Sequence, residues 1–335
     1  MWRTTVGIIT TLVLCVLAVP YVVEAQPPVR LYRVGFISPL PGSPEPPTLH
    51  AFRQEGVEVS LITAARPSAA AQGLADGSAD VAWGGPMRVL HTYDTDPACD
   101  LVCFCEVVTR DPFFLLGRSP KPDFRLSDLQ SLRLATVSEV PTPWLCLQED
   151  LRRAGLDPTE LERVPDRSMA ENCAALRRGE VDVVQLFQPF VEELIEDSAG
   201  HIWSAAAERG PTSYTTLYAP RGLLSSRRQE CEGMVRALHR TLQWVNAGDG
   251  ARLAATIANY FPHLPQPRLA SALSRYQALG IWGRNPRLPR IGYDRLKAGL
   301  LSGGLIATAA PYERVVDNSL ADLVLRQALP PLTEG

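Results

Sequence analysis

The stretch GSADVAWGGP, residues 77–86, is written a second time as GEVDVVQLFQP, residues 179–189. Each copy follows a helix-like segment with a leucine three residues before the glycine, Leu74 and Leu176. Each places an aspartate three residues after the glycine, Asp80 and Asp182, then a valine-led apolar run, then proline. A glycine stops a helix, a short apolar run makes a buried strand, and proline suits the first position of the next helix. One helix–strand–helix unit used twice predicts two similar α/β lobes.

The flanking sequence fits the same plan. Segments 31–38, 57–63 and 80–84 read as strands, with a small-residue helix closed by Gly77 and another opened by Pro86. Residues 101–118 give two extended pieces broken at Asp111-Pro112. The order then restarts. Strand-like LRLATVS (132–138) leads to a helix that Thr142 caps, with Pro143 at its first position. Trp144, Leu147, Leu151 and Ala154 share a face of that helix, and Gly155 ends it. LERVP (161–165) is a short strand, and Ser168 with Glu171 spells a capping box. Residues 213–220 are extended again, and past Arg221 the periodicity is helical, with Met234, Leu238, Leu242 and Val245 on one face. Strands alternating with helices imply doubly wound, largely parallel sheets.

Composition narrows the class. The chain has 335 residues and a formal net charge of -3, with no dense Lys/Arg stripe, so nucleic-acid binding is not expected. Residues 1–25 carry Arg3, an apolar core too short for a comfortable membrane span, and Val23 and Ala25 before a cleavage point. They read as a secretory signal peptide. Leu14 stands where a lipoprotein signal before Cys15 has a small residue. Six cysteines follow the leader, and in CDLVCFCEVV (99–108) Leu101, Cys103, Cys105 and Val107 alternate onto one strand face. With no C-x-x-C pair and scattered histidines, the expectation is buried apolar cysteine, no metal, no cofactor and no catalytic residue.

The phrases LADGSADVAWGGP, LSDLQSLRLATVSEVPTPW and LRRGEVDVVQLFQPF, and the tail RYQALGIWGRNPRLPRIGYDRLKAGLLSGGL…PYERVVDNSLA, carry a resemblance. Together, in this order, the chain resembles the periplasmic solute-binding proteins of ABC importers, in the nitrate/sulfonate/taurine and thiamine-precursor branch. The resemblance implies a two-lobed periplasmic-binding-protein fold of type II with a helical C-terminal region. It implies lobes joined by two crossings, near 109–118 and 211–220, that close on a small organic or anionic ligand. Delivery to an ABC permease in the inner membrane would follow, by a periplasmic monomer that does no chemistry. The boundaries read as 26–112 with 213–335 for the first lobe and 113–212 for the second. A sensor feeding a membrane receptor, and an enzyme like the thiamine-pyrimidine synthases, share the fold and stay open.

In open α/β sheets, ligands lie beyond the carboxyl ends of the strands. That rule selects Ser38, then Trp83, Gly84 and Gly85, then Ser138, Thr142 and Trp144, then Gln185, Phe187 and Gln188. Tyr214 and Thr216 on the returning strand reach the same space. Trp83, Trp144 and Phe187 also suit a core, and Arg88 in a first helical turn suits either solvent or an anion. Asp80 and Asp182 read as turn residues. Gln188 stands where the resembled family often has an acid. A neutral amide hydrogen-bonds a ligand but pairs with no cation.

Overall fold

The computed structural model describes residues 31–36, 48–63, 72–330 and 332. The expected leader and Ser38 lie outside the described residues.

The strands are β1 (Leu31–Phe36), β2 (Glu58–Thr63), β3 (Val81–Gly84), β4 (Leu101–Val108), β5 (Phe114–Gly117), β6 (Leu134–Val137), β7 (Arg163–Arg167), β8 (Val183–Leu186), β9 (His201–Ala205) and β10 (Thr215–Pro220). They form two five-stranded sheets, ordered β2-β1-β3-β10-β4 and β7-β6-β8-β5-β9. In each sheet the first three strands in the order are parallel, and the fourth runs antiparallel to both its neighbours. The fourth strand is the one that follows a crossing: β5 enters the second sheet, and β10 returns to the first. β3 and β8, the strands of the repeated phrase, hold the same central place in their sheets. This is the two-lobed periplasmic-binding-protein fold.

The helices are α1 (Thr48–Gln54), α2 (Pro86–Thr95), α3 (Thr142–Arg153), α4 (Met169–Arg178), α5 (Phe190–Glu196), α6 (Arg221–Ser226), α7 (Arg228–Ala247), α8 (Gly250–Ile257), α9 (Gln266–Ala278), α10 (Arg290–Ser302), α11 (Tyr312–Val315) and α12 (Ser319–Val324). Local chemistry sets several boundaries. Pro86 opens α2 at a position that needs no amide hydrogen. Ser168 and Glu171 cap α4 reciprocally, and Gly179 ends it at φ 73°. Met234, Leu238, Leu242 and Val245 of α7 are buried as their spacing requires.

Two expectations need correction. Thr142 does not cap α3; Pro141 holds the cap position, and Thr142 is already the first helical residue. Nor do the alternate residues of β4 share one face. Leu101 and Cys103 pack into one core, Cys105 and Val107 into another. The cause is a register shift against β10, where Tyr218 faces Cys103 and Leu217 faces Cys105. An unpaired residue inserted into a strand reverses the facing of everything after it. The β9 strand, short and only half-buried along most of its length, has no strong periodic signal in the sequence.

The two sides meet directly. α10, which packs with the first sheet, also lies against α3 of the second. A Cβ at Gly303 would collide with Leu145 Cδ2. Tyr276 of α9 bridges the crossing as well, its hydroxyl lying 3.2 Å from the Pro112 carbonyl while the Gln188 amide donates to it at 3.1 Å.

Candidate functional site

The end of β3 and the start of α2 form the centre of the candidate site. Glycine stands at 84 and 85 because other atoms fill the space a side chain would take. A Cβ at Gly84 would lie 2.9 Å from Arg88 Nη1 and 3.6 Å from the Tyr218 hydroxyl. A Cβ at Gly85 would lie 3.0 Å from the Tyr214 carbonyl, 3.7 Å from Arg88 Nη1 and 3.9 Å from the Met87 amide nitrogen. So the Arg88 guanidinium folds back over the start of its own helix, between that amide and two tyrosines.

The hydroxyls of Tyr214 and Tyr218 are buried and have no hydrogen-bond partner. Burial pushes the Tyr218 phenol up to about 12, against a downward pull from Arg88. Burial also raises Tyr214 well above its ordinary value, Asp111, Cys146 and Tyr276 add to the rise, and Arg88 again opposes it. Both therefore stay protonated at neutral pH and can donate. The Arg88 guanidinium, the Tyr218 O–H and the helix N-terminus supply the donors that suit an anion, with the Tyr214 carbonyl beside them as an acceptor. Cys146 of α3 packs in the same core as Tyr218 and Met87, so the second lobe meets the first next to this site.

The residues selected from sequence divide into groups. Gly84, Gly85 and Tyr214 come together with Arg88. Trp83 faces the other way: it is 3 % exposed in the core beneath α7, and its Nε1 has no partner. Thr216 is wholly buried, with its Oγ1 2.7 Å from the Cys105 carbonyl. Ser138 is exposed, and Thr142 is buried at the start of α3. Trp144 packs with Leu147 and Leu151 in the second lobe and carries Arg163 at 4.7 Å from its ring centre.

Phe187 meets Phe113 edge-on at 4.9 Å. Gln188 does not offer its amide to a ligand here. Its Nε2 donates to Glu192 Oε1 at 2.8 Å, and its Oε1 accepts from the Glu192 amide at 3.3 Å. Gln185 shares its strand face with Val183 rather than with Leu186, and its Nε2 donates to the Pro143 carbonyl at 3.0 Å. Strand alternation explains the placement of Gln185. Asp182 accepts from the Arg133 amide at 2.9 Å and pairs with Arg118 at 3.0 Å, a structural role in the turn.

Tyr218 is the member the sequence reading missed. Residues 213–220 read as one extended segment, but a register shift against β4 between Leu217 and Tyr218 breaks simple alternation, and the Tyr218 ring reaches the side-chain space of Gly84 while the Thr216 hydroxyl turns to the Cys105 carbonyl.

Among the described residues no group of three or more His, Cys, Asp or Glu could hold a metal ion. The six described cysteines are free and buried. Burial pushes Cys146 and Cys231 up to about 12 and raises Cys103, Cys105 and Cys173 further. No helix among the described residues is long and apolar enough to cross a membrane.

The NMT1-like family model matches residues 26–259. No curated protein matches the chain in sequence. Three solved structures illustrate the shared fold. The periplasmic aliphatic sulphonate binding protein SsuA of Escherichia coli is 16% identical, with a TM-score of 0.66 over 86% of this chain and 98% of that one. The alkanesulfonate-binding protein SsuA of Xanthomonas axonopodis pv. citri, bound to MOPS, is 17% identical, with a TM-score of 0.57 over 90% and 99%. The desulfurization enzyme DszB, in complex with biphenyl-2-sulfinic acid, is 13% identical, with a TM-score of 0.62 over 89% and 99%. At these identities the likeness is one of fold.

Proposed function

The chain belongs to the NMT1-like family, and from that premise we propose that it is the extracytoplasmic solute-binding component of an ABC import system. Residues 1–25 direct its export, and it works as a periplasmic monomer. Residues 26–112 with 213–335 form one lobe, residues 113–212 the other, and the two close on a small ligand. The closed form presents the ligand to a permease in the inner membrane. The ligand is an organic molecule with an anionic group.

The observation that carries this reading is the Arg88 guanidinium held over Gly84 and Gly85 beside the unpartnered hydroxyl of Tyr218. The cation in this set lies on one lobe, and α3 of the other packs into the core that holds Met87 and Tyr218, so an anion bound between them favours closure. The raised thiols support binding without covalent chemistry, since the thiolate is the nucleophile.

Titration calorimetry with ethanesulfonate, benzoate and their uncharged amides tests the proposal. An anion should bind, its amide should not, and Arg88→Ala should weaken binding roughly ten- to a hundredfold, the loss expected for a hydrogen-bonded charge. Small-angle scattering should show a more compact particle with the anion, and mass spectrometry should recover the anion unchanged. Equal binding of anion and amide would sink the anionic assignment, and turnover of the solute would replace the transport reading with an enzymatic one.

A further inference from the structure

A cavity of about 380 Å³ opens on the second sheet and shares no lining residue with the Arg88 site. Its volume falls in the range of small-molecule pockets. The walls are mostly apolar, with Phe114 and Leu115 from β5, Phe124 and Leu126 from the loop beyond it, and Leu147 from α3. Gln185 lines the same cavity and is 3 % exposed. Its Nε2 is committed to the Pro143 carbonyl, which fixes which end of the amide is oxygen. The carbonyl oxygen Oε1 is buried and has no hydrogen-bond partner.

A buried acceptor left unpaired in an apolar wall is unfavourable, and native structures rarely leave one unmet. Neither the charged groups around the cavity, Asp150, Arg153, Glu208 and Arg209, nor the Ser204 hydroxyl meets it. Arg209 is held by Asp111 and Asp150, and Arg153 by Glu149. A flat apolar molecule with one N–H or O–H fits both demands, filling the greasy volume and donating to Oε1.

We propose that this cavity is a second small-molecule site, taking a ring-sized, mainly apolar solute whose N–H or O–H donates to Gln185 Oε1. The site is independent of the anion-binding reading, because its residues come from the second lobe alone.

Indole and benzofuran, isosteres that differ in the N–H, are the probes. Ligand-observed NMR and calorimetry on the full chain should show indole binding about tenfold tighter than benzofuran, one hydrogen bond's difference. Arg88→Ala should leave indole affinity unchanged, which separates this site from the anion site. Gln185→Met should close the gap between the two probes. If Gln185→Met unfolds early, Leu126→Trp, at a half-exposed wall position, serves in its place and should abolish binding of both probes. The proposal is overturned if indole fails to bind up to its solubility limit, if benzofuran binds the parent as well as indole does, or if Leu126→Trp binds both as before.

Discussion

Arg209 pairs with Asp111 at 3.1 Å, joining the chain just before the return crossing to the outgoing crossing itself. Asp111 is wholly buried, and Arg209 also donates to Asp150 of α3 at 2.7 Å. Burial pushes the Asp111 carboxyl up and Arg209 pulls it down. Removing the cation leaves a buried carboxylate uncompensated, which costs about 3–5 kcal/mol. Arg209→Ala should therefore lower the urea midpoint sharply at neutral pH. The double variant Asp111→Asn with Arg209→Ala should recover part of that loss, because the orphaned charge is gone. If the double variant is no more stable than Arg209→Ala, the pair is not the cause.

Gly84 and Gly85 should respond differently to the same added methyl group. At Gly84 the near neighbour is the flexible end of Arg88, whereas at Gly85 it is the Tyr214 backbone carbonyl. Gly84→Ala should displace the guanidinium, weakening anion binding with a stability change within about 0.5 kcal/mol. Gly85→Ala must move main chain and should cost about 1–3 kcal/mol. Melting curves beside calorimetry with ethanesulfonate separate the two effects.

Glu106 provides a pH signature. It is fully buried on β4, and burial pushes its carboxyl up to about 8, against the pull of the Ser213 and Thr109 hydroxyls. Between its ordinary value of 4.5 and about 8, the folded chain keeps a proton that the unfolded chain has lost. This contribution is therefore fully present below 4.5, is lost as pH rises through that window, and levels off above about 8. The slope from one proton reaches about 1.4 kcal/mol per pH unit. Denaturant titrations from pH 5 to 8.5 should show a shallower dependence in Glu106→Gln than in the parent, and parallel curves would contradict it.

The thiols should be inert in the native state. All six described cysteines are buried, and burial raises their thiols. Less than about one thiol per chain should react with Ellman's reagent within minutes at pH 8. In guanidinium all six of the described cysteines should react, whereas a smaller number would reveal a disulfide in the isolated protein.

Most of the architecture was legible because its signals are local. Gly77 and Gly179, Pro86, and the Ser168–Glu171 box each act within a turn of chain, so their meaning survives without the fold. The site was less legible because facing depends on partners distant in sequence. The sequence places Gln188 at a strand's carboxyl end, yet Glu192 occupies its amide. Gln185 was read into the same cleft, yet strand alternation turns it toward α3. Trp83 lies at the right strand end but on the opposite face from Gly84. The break in β4 comes from its register with β10, more than a hundred residues later, and no window around Cys103 and Cys105 contains that information.

The place of β10 also governs the order in which the molecule can be finished. It lies between β3 and β4, which do not pair with each other. A ribosome or an export channel delivers residues 109–214 before that strand arrives. The strands of the second sheet, β5 to β9, are contiguous in the chain and complete inside that interval. The half begun first is therefore closed last, and until then two of its strands present unpaired edges, the surfaces on which chains join their neighbours. Only when residue 220 has emerged can β10 seat between β3 and β4 and remove those edges.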